Sequence, residues 1–137
     1  MIEGHCLCGD VRYAADAPVL WQGYCHCESC RRSTASPVAA FLGVAAKDCR
    51  FPGSAPVAYA SSPGVRRYFC GRCGTPIAYE SEAFPGELHF YAATLNDPSG
   101  YAPTFHVHAG ERLPWFDTAD ELPRFRLGTS GEKLDRG

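Results

Sequence analysis

Alternation of apolar and polar positions runs through much of the chain, in short bursts that predict strands. "DVRYAA" sets Val11 and Tyr13 against Arg12, the period-2 pattern of a strand with one buried face. "VLWQGYC" is apolar and aromatic and reads as a strand that ends at Cys25. "SPVAAFLGVA" fits a strand or a short helix; Pro37, its β-branched residues and its length favour the strand. The clearest signal is a hairpin in "PVAYASSPGVRRYFC", with Val57 and Tyr59 on one arm, "SSPG" as the turn, and Val65 to Cys70 as the return. "GTPIAYE" and "ELHFYAATL" predict a second strand pair around "AFPG". "DCRFPG" ends in a turn, "NDPSG" is a loop and "TFHVHA" is another short strand. "DTADELPRF" predicts one helical turn, capped by Asp117 or Thr118 and stopped by Pro123.

Short strands punctuated by turns point to an all-β or β-dominated domain. The 11 Pro and 14 Gly agree with many turns and few long helices. With 137 residues the expectation is one domain, over residues 1–127, followed by a polar, disordered tail, "GTSGEKLDRG", at 128–137. The chain has 45% hydrophobic and 20% charged residues, an ordinary globular balance. No apolar run approaches the ~20 residues that span a bilayer. The start, "MIEGHCLCGD", has neither the basic nor the apolar region of an export signal, which sets the expectation of a cytoplasmic protein. The net charge is −2 and falls further once cysteines bind metal as thiolates, an unfavourable balance for nucleic acid.

Eight cysteines change the picture most. Seven sit in C-x-C or C-x-x-C groups: Cys6 and Cys8, Cys25, Cys27 and Cys30, and Cys70 and Cys73. Cysteines this close chelate well and cross-link poorly, so metal is favoured over disulfides. Cys25, Cys27 and Cys30 close only small loops around one ion, at low entropic cost. The two remaining pairs then make a four-cysteine set, the closed tetrahedral arrangement of structural zinc. A rival division joins "CESC" and "CGRC" as a zinc ribbon and strands Cys6, Cys8 and Cys25. The first division leaves no ligand stranded and predicts two zinc ions per chain, one site closed and one with an open position. That fourth position is for water, a substrate or a histidine. His26 lies within the cluster, but on an extended stretch its side chain points away from Cys25 and Cys27. Cys49 has no cysteine or histidine near it and reads as a small half-buried residue. Arg31, Arg32, Arg66 and Arg67 flank the metal motifs, either as solvated ends or as holders of substrate carboxylates.

In order along the chain, "GHCLCGDVRY", "CHCESCRR", "RRYFCGRCGTPI" and the closing "ATLNDPSGYAPTFHVHAGERLPWFDTADELPRF" resemble the glutathione-dependent formaldehyde-activating enzyme family, which shares its domain with centromere protein V. The resemblance runs from about Gly4 to Phe125. It implies a β-tent: small antiparallel sheets with zinc held between hairpin ends. It implies Cys6, Cys8, Cys70 and Cys73 as structural zinc ligands, and Cys25, Cys27 and Cys30 as ligands of a second, catalytic zinc. The implied activity is that of a carbon–sulfur lyase, joining formaldehyde to the glutathione thiol as S-hydroxymethylglutathione. By family position His106 and Trp115 are expected to line the pocket; of the flanking arginines, Arg31 and Arg67 are the expected substrate holders. The sequence departs from the family at Asn96 in "TLNDP", where Asp is usual. The alternative is a non-catalytic zinc module that binds a protein partner.

Overall fold

In the computed structural model, which describes residues 1–135, strands dominate, and they form two sheets with one α-helix. The chain folds as two compact units, each built from separated segments: Met1–Trp21 with Leu42–Tyr101, and Gln22–Phe41 with the chain from Ala102 onward.

The first unit holds a three-stranded antiparallel sheet of β1 (Ile2–His5), β2 (Arg12–Ala15) and β5 (Cys49–Arg50), in the order β1-β2-β5. It also holds the larger part of β4 (Ala39–Ala45), followed across its sheet by β9 (Glu87–Tyr91), β8 (Pro76–Ser81), β7 (Val65–Phe69) and β6 (Val57–Ser62). The expected hairpins are β6–β7 and β8–β9, both antiparallel. Gly64 turns the first with φ +75°, a left-handed conformation that Gly adopts without strain. The core gathers Val11, Tyr13, Leu42, Val44, Ile77, Leu88 and Phe90. Tyr13 stacks on Phe90 with ring centroids 4.0 Å apart. Gly4 makes that possible, because a Cβ there would strike the Tyr13 ring and hydroxyl.

The second unit runs β12 (Lys133–Leu134), β11 (Arg124–Phe125), β10 (His106–Val107) and β3 (Trp21–Cys25), with the start of β4 beyond. β10 is parallel to both β3 and β11, whereas the resemblance implied antiparallel sheets alone. Gly23 of β3 gives its Cβ space to the Phe105 ring. α1 (Glu28–Thr34) follows β3 directly. The expected helical turn at 117–123 is absent, because Asp117 and Thr118 accept from Arg124 instead of capping a helix. The stretch expected as a disordered tail carries β12, paired with β11. Its last two residues lie outside the described ones.

Candidate metal centres

The first centre sits in the first unit, at the tips of two hairpins. Between β1 and β2 the chain turns at Cys6–Gly9, where the Gly9 amide donates to the Cys6 carbonyl at 3.1 Å and φ is +82° at Gly9. Between β7 and β8 it repeats the device: the Gly74 amide donates to the Cys70 carbonyl at 2.8 Å, with φ +80° at Gly74. Each turn brings its cysteine pair to one point, and glycine carries the left-handed residue that makes the turn tight. The sulfurs of Cys6, Cys8, Cys70 and Cys73 all lie within 4.8 Å of one another. Cys6 to Cys8 is 3.6 Å and Cys8 to Cys70 is 3.8 Å. A tetrahedral zinc with Zn–S of ~2.3 Å separates its sulfurs by ~3.8 Å, so the donor set fits that ion in number, type and spacing.

Amides support these sulfurs as thiolates. The Val11 amide donates to Cys6 at 3.3 Å, and the Arg72 and Cys73 amides donate to Cys70 at 3.4 Å. Thr75 ties the two tips together: its hydroxyl lies 3.2 Å from Cys73 Sγ and accepts from the Leu7 amide at 3.0 Å. Thr75, through its hydroxyl and its amide, brings the Cys73 thiol down to about 5. Sequence reading did not find Thr75. Its position two residues after Cys73 is the signal that was available.

The second centre lies in the second unit. Cys25 ends β3, Cys27 is the N-cap of α1, and Cys30 sits in its first turn. Strand, cap and helix thus place three sulfurs within 4.8 Å of one another. Cys27 caps through sulfur, accepting from the Cys30 amide at 3.3 Å. Cys30 and Cys25 are buried, and Cys27 is half-buried. Hydrogen bonds from Cys25 and Cys30 push the Cys27 thiol down to about 2, and the same sharing pushes Cys25 up. The three sulfurs behave as one anionic cluster, a fit for a thiophilic dication. Among the described residues no histidine joins this group.

Instead, a hydrogen-bonded chain of side chains stands beside the cluster in sequence and strand register. His26 Nε2 is 2.8 Å from His106 Nδ1, and His106 Nε2 is 3.0 and 3.2 Å from the two oxygens of Asp120. Arg124, also buried, donates to Asp120, to Asp117 and to the hydroxyl and carbonyl of Thr118. Burial holds the His26 imidazole down to about 4 and lowers His106 as well. Burial alone would raise Asp120, but hydrogen bonds from Thr118, His106 and the Leu122 amide hold it far below the usual carboxylate range.

The remaining expected site residues fall in different places. Arg31, on α1, donates through Nε to the His26 carbonyl at 3.3 Å. Arg67 belongs to the first unit, where it donates to the Tyr91 hydroxyl and lies 5.0 Å from the Tyr79 ring. His106 is fully buried, while Trp115 is 71% exposed. His108, a remote candidate for the fourth ligand, lies outside the sulfur group, and Glu111 was not expected at this centre. Glu111 accepts from the Glu28 amide at the start of α1 and lies 3.2 Å from His108 Nδ1. No helix among the described residues is long and apolar enough to cross a membrane.

A family model described as "Glutathione-dependent formaldehyde-activating enzyme" matches residues 1–111. No curated protein matches the chain. Among solved structures, a crystal structure of a Rhodobacter sphaeroides protein aligns with a TM-score of 0.61 at 23% identity, covering 74% of this chain and 97% of that one. That likeness concerns the fold.

Proposed function

Since the chain belongs to the glutathione-dependent formaldehyde-activating enzyme family, we propose that it is a zinc-dependent carbon–sulfur lyase that forms or splits a thiol–aldehyde adduct of the S-hydroxymethylglutathione type. The observation that carries the reading is the donor set at Cys25, Cys27 and Cys30: three sulfurs from one short loop with no fourth protein ligand gathered among the described residues. The four-cysteine set at Cys6, Cys8, Cys70 and Cys73 is the structural zinc in this reading. A zinc ion held by three thiolates would supply one open position, and direct coordination there would lower the pKa of an incoming thiol.

The chemistry is an addition. The thiol loses its proton, its sulfur bonds to the aldehyde carbon, and the carbonyl oxygen takes a proton; splitting runs the same steps in reverse. The part of the protein is to gather the partners and orient them. The amide of Cys30 and the cap geometry of α1 hold Cys27 in place. Arg31, already anchored through Nε, is the proposed holder of a thiol substrate's carboxylate. Trp115, whose ring is exposed, is the proposed second contact for that ligand. Three thiolates around a dication carry a net −1, so the site favours soft, exchangeable thiols over strong activation of a carbonyl.

A second reading, a non-catalytic zinc module for a protein partner, is supported by the edge strand β6, whose Val57 and Tyr59 are exposed. Exchange spectroscopy on ¹³C-formaldehyde with glutathione separates the two. The lyase reading expects catalytic amounts of protein to speed exchange of the adduct, and Cys27→Ser to abolish the acceleration. Exchange at the uncatalysed rate with fully zinc-loaded protein would overturn it in favour of the binding module.

A further inference from the structure

His26 stands between two of the candidate ligands, yet its ring does a different job. The direction of each hydrogen in its chain of contacts can be read from Asp120 outward. Asp120 is ionised and can only accept, so His106 Nε2, at 3.0 Å, carries the hydrogen between them. A neutral imidazole has one N–H, which leaves His106 Nδ1 as an acceptor. His26 Nε2, at 2.8 Å, must therefore donate to it. The only hydrogen of the His26 ring is then spent, and Nδ1 is a bare lone pair. That atom is buried and has no hydrogen-bond partner among the described residues, in a residue 4% exposed. Leaving a buried acceptor unmet costs ~1–3 kcal/mol. The sequence has placed it one residue from Cys25 and one from Cys27, yet the ring nitrogens fall outside the sulfur group.

We propose that His26 Nδ1 is a binding point for an O–H donor beside the Cys25–Cys30 loop, with His106 and Asp120 as positioning residues that fix it as an acceptor. The donor is a resident water or the hydroxyl of an S-hydroxymethyl adduct held at the three-cysteine site. The second source rests on the function proposed above; the acceptor state of His26 does not. Arg124 completes the device by holding Asp120 and Thr118 from a buried position. The buried Arg124 guanidinium beside Asp120 disfavours a second cation on His106, which keeps His106 Nδ1 an acceptor.

The test is long-range ¹H–¹⁵N correlation of the histidine rings in the zinc-loaded full chain. Hydrogen on Nε2 of both His26 and His106, with His26 Nδ1 showing the shift of a lone pair that accepts, supports the proposal. Hydrogen on His26 Nδ1, or a bare Nδ1 without an accepted hydrogen bond in every sample, overturns it. Two additions identify the donor. Equilibrated glutathione and formaldehyde should move the His26 Nδ1 signal while S-methylglutathione does not, if the donor is the adduct hydroxyl. A cross-peak to water that persists unchanged in both additions identifies a resident water, and would leave the acceptor standing even if the lyase reading fails. His26→Gln keeps a donor toward His106 but moves the acceptor off the Nδ1 position, onto the amide oxygen. For the adduct source it should weaken adduct binding roughly tenfold while glutathione binding stays unchanged. Asp120→Ala should scramble the His26 tautomer without changing zinc content; an unchanged pure Nε2–H tautomer in that variant would overturn the positioning role.

Discussion

Replacing Cys70 and replacing Cys27 by serine should have opposite consequences for the fold. Cys70 is buried and links chain segments 62 residues apart through Cys8. Closing a loop of that length costs about 4 kcal/mol, against about 1.5 kcal/mol for the short loop from Cys25 to Cys30. A structural zinc contributes ~10 kcal/mol or more of apparent binding free energy, as much as the whole stability of many domains, ~5–15 kcal/mol. Cys70→Ser removes a thiolate and leaves the Arg72 and Cys73 amides facing a shorter hydroxyl. It should give unfolded or insoluble protein. Cys27 is half-buried, and its sulfur also serves as the N-cap of α1. Serine is among the favoured N-cap residues, so Cys27→Ser keeps the helix start and loses only the second ion. It should melt within about 1–2 kcal/mol of the parent. Thermal melts with zinc analysis on both variants decide the matter. Equal collapse, or a soluble Cys70→Ser that melts like the parent, would refute the assignment of one centre to structure and the other to function.

Tyr13 is buried, which pushes its hydroxyl up to about 12 against a weaker opposing hydrogen bond from Thr94. Its folded value lies above the ordinary one, so the stability it contributes is complete below about pH 10 and is lost as pH rises towards about 12, a term of ~2–3 kcal/mol. Tyr13→Phe should cost about 1 kcal/mol at neutral pH and remove that alkaline loss, as urea melts at about pH 8 and about pH 11 would show. Gly4→Ala should destabilise by about 1–3 kcal/mol, because its Cβ meets the Tyr13 ring and the Thr94 carbonyl, whereas Gly100→Ala, with open space around it, should stay within about 0.5 kcal/mol; denaturant midpoints compare them. Cys49→Ser should leave zinc content unchanged, since the Cys49 thiol lies in neither sulfur group and only donates to the Ala45 carbonyl.

The cysteine groupings were legible because chelation by C-x-C and C-x-x-C is local: each pair of ligands is brought together by one turn. The β6–β7 hairpin was legible for the same reason, with alternation on both arms and Pro63-Gly64 between them. α1 escaped because it is seven residues long, too short to show a helical apolar period. Its cap is a cysteine sulfur, and it ends on Ala35 in the left-handed conformation where Gly is usual, so neither boundary carries the common signal. β1 has four residues with Gly4 among them, and its pairing with β2 supplies what its own pattern lacks. The parallel pairing of β10 joins segments some eighty residues apart, which no local pattern encodes. The same holds for the meeting of His26 with His106, eighty residues apart, while Asp120 reaches His106 from the irregular segment before β11. Asp117 and Thr118 look like helix caps in sequence, but the buried Arg124 guanidinium claims their oxygens.

X-ray absorption at the zinc edge, with and without millimolar glutathione, tests the central claim most directly. Seven cysteine sulfurs shared by two ions average 3.5 per zinc, and one added thiol brings the average to 4. The account predicts two zinc ions per chain, a shell that includes a light atom without thiol, and an all-sulfur shell with it. A single zinc per chain at full occupancy, or a light-atom ligand that glutathione fails to displace, would contradict it.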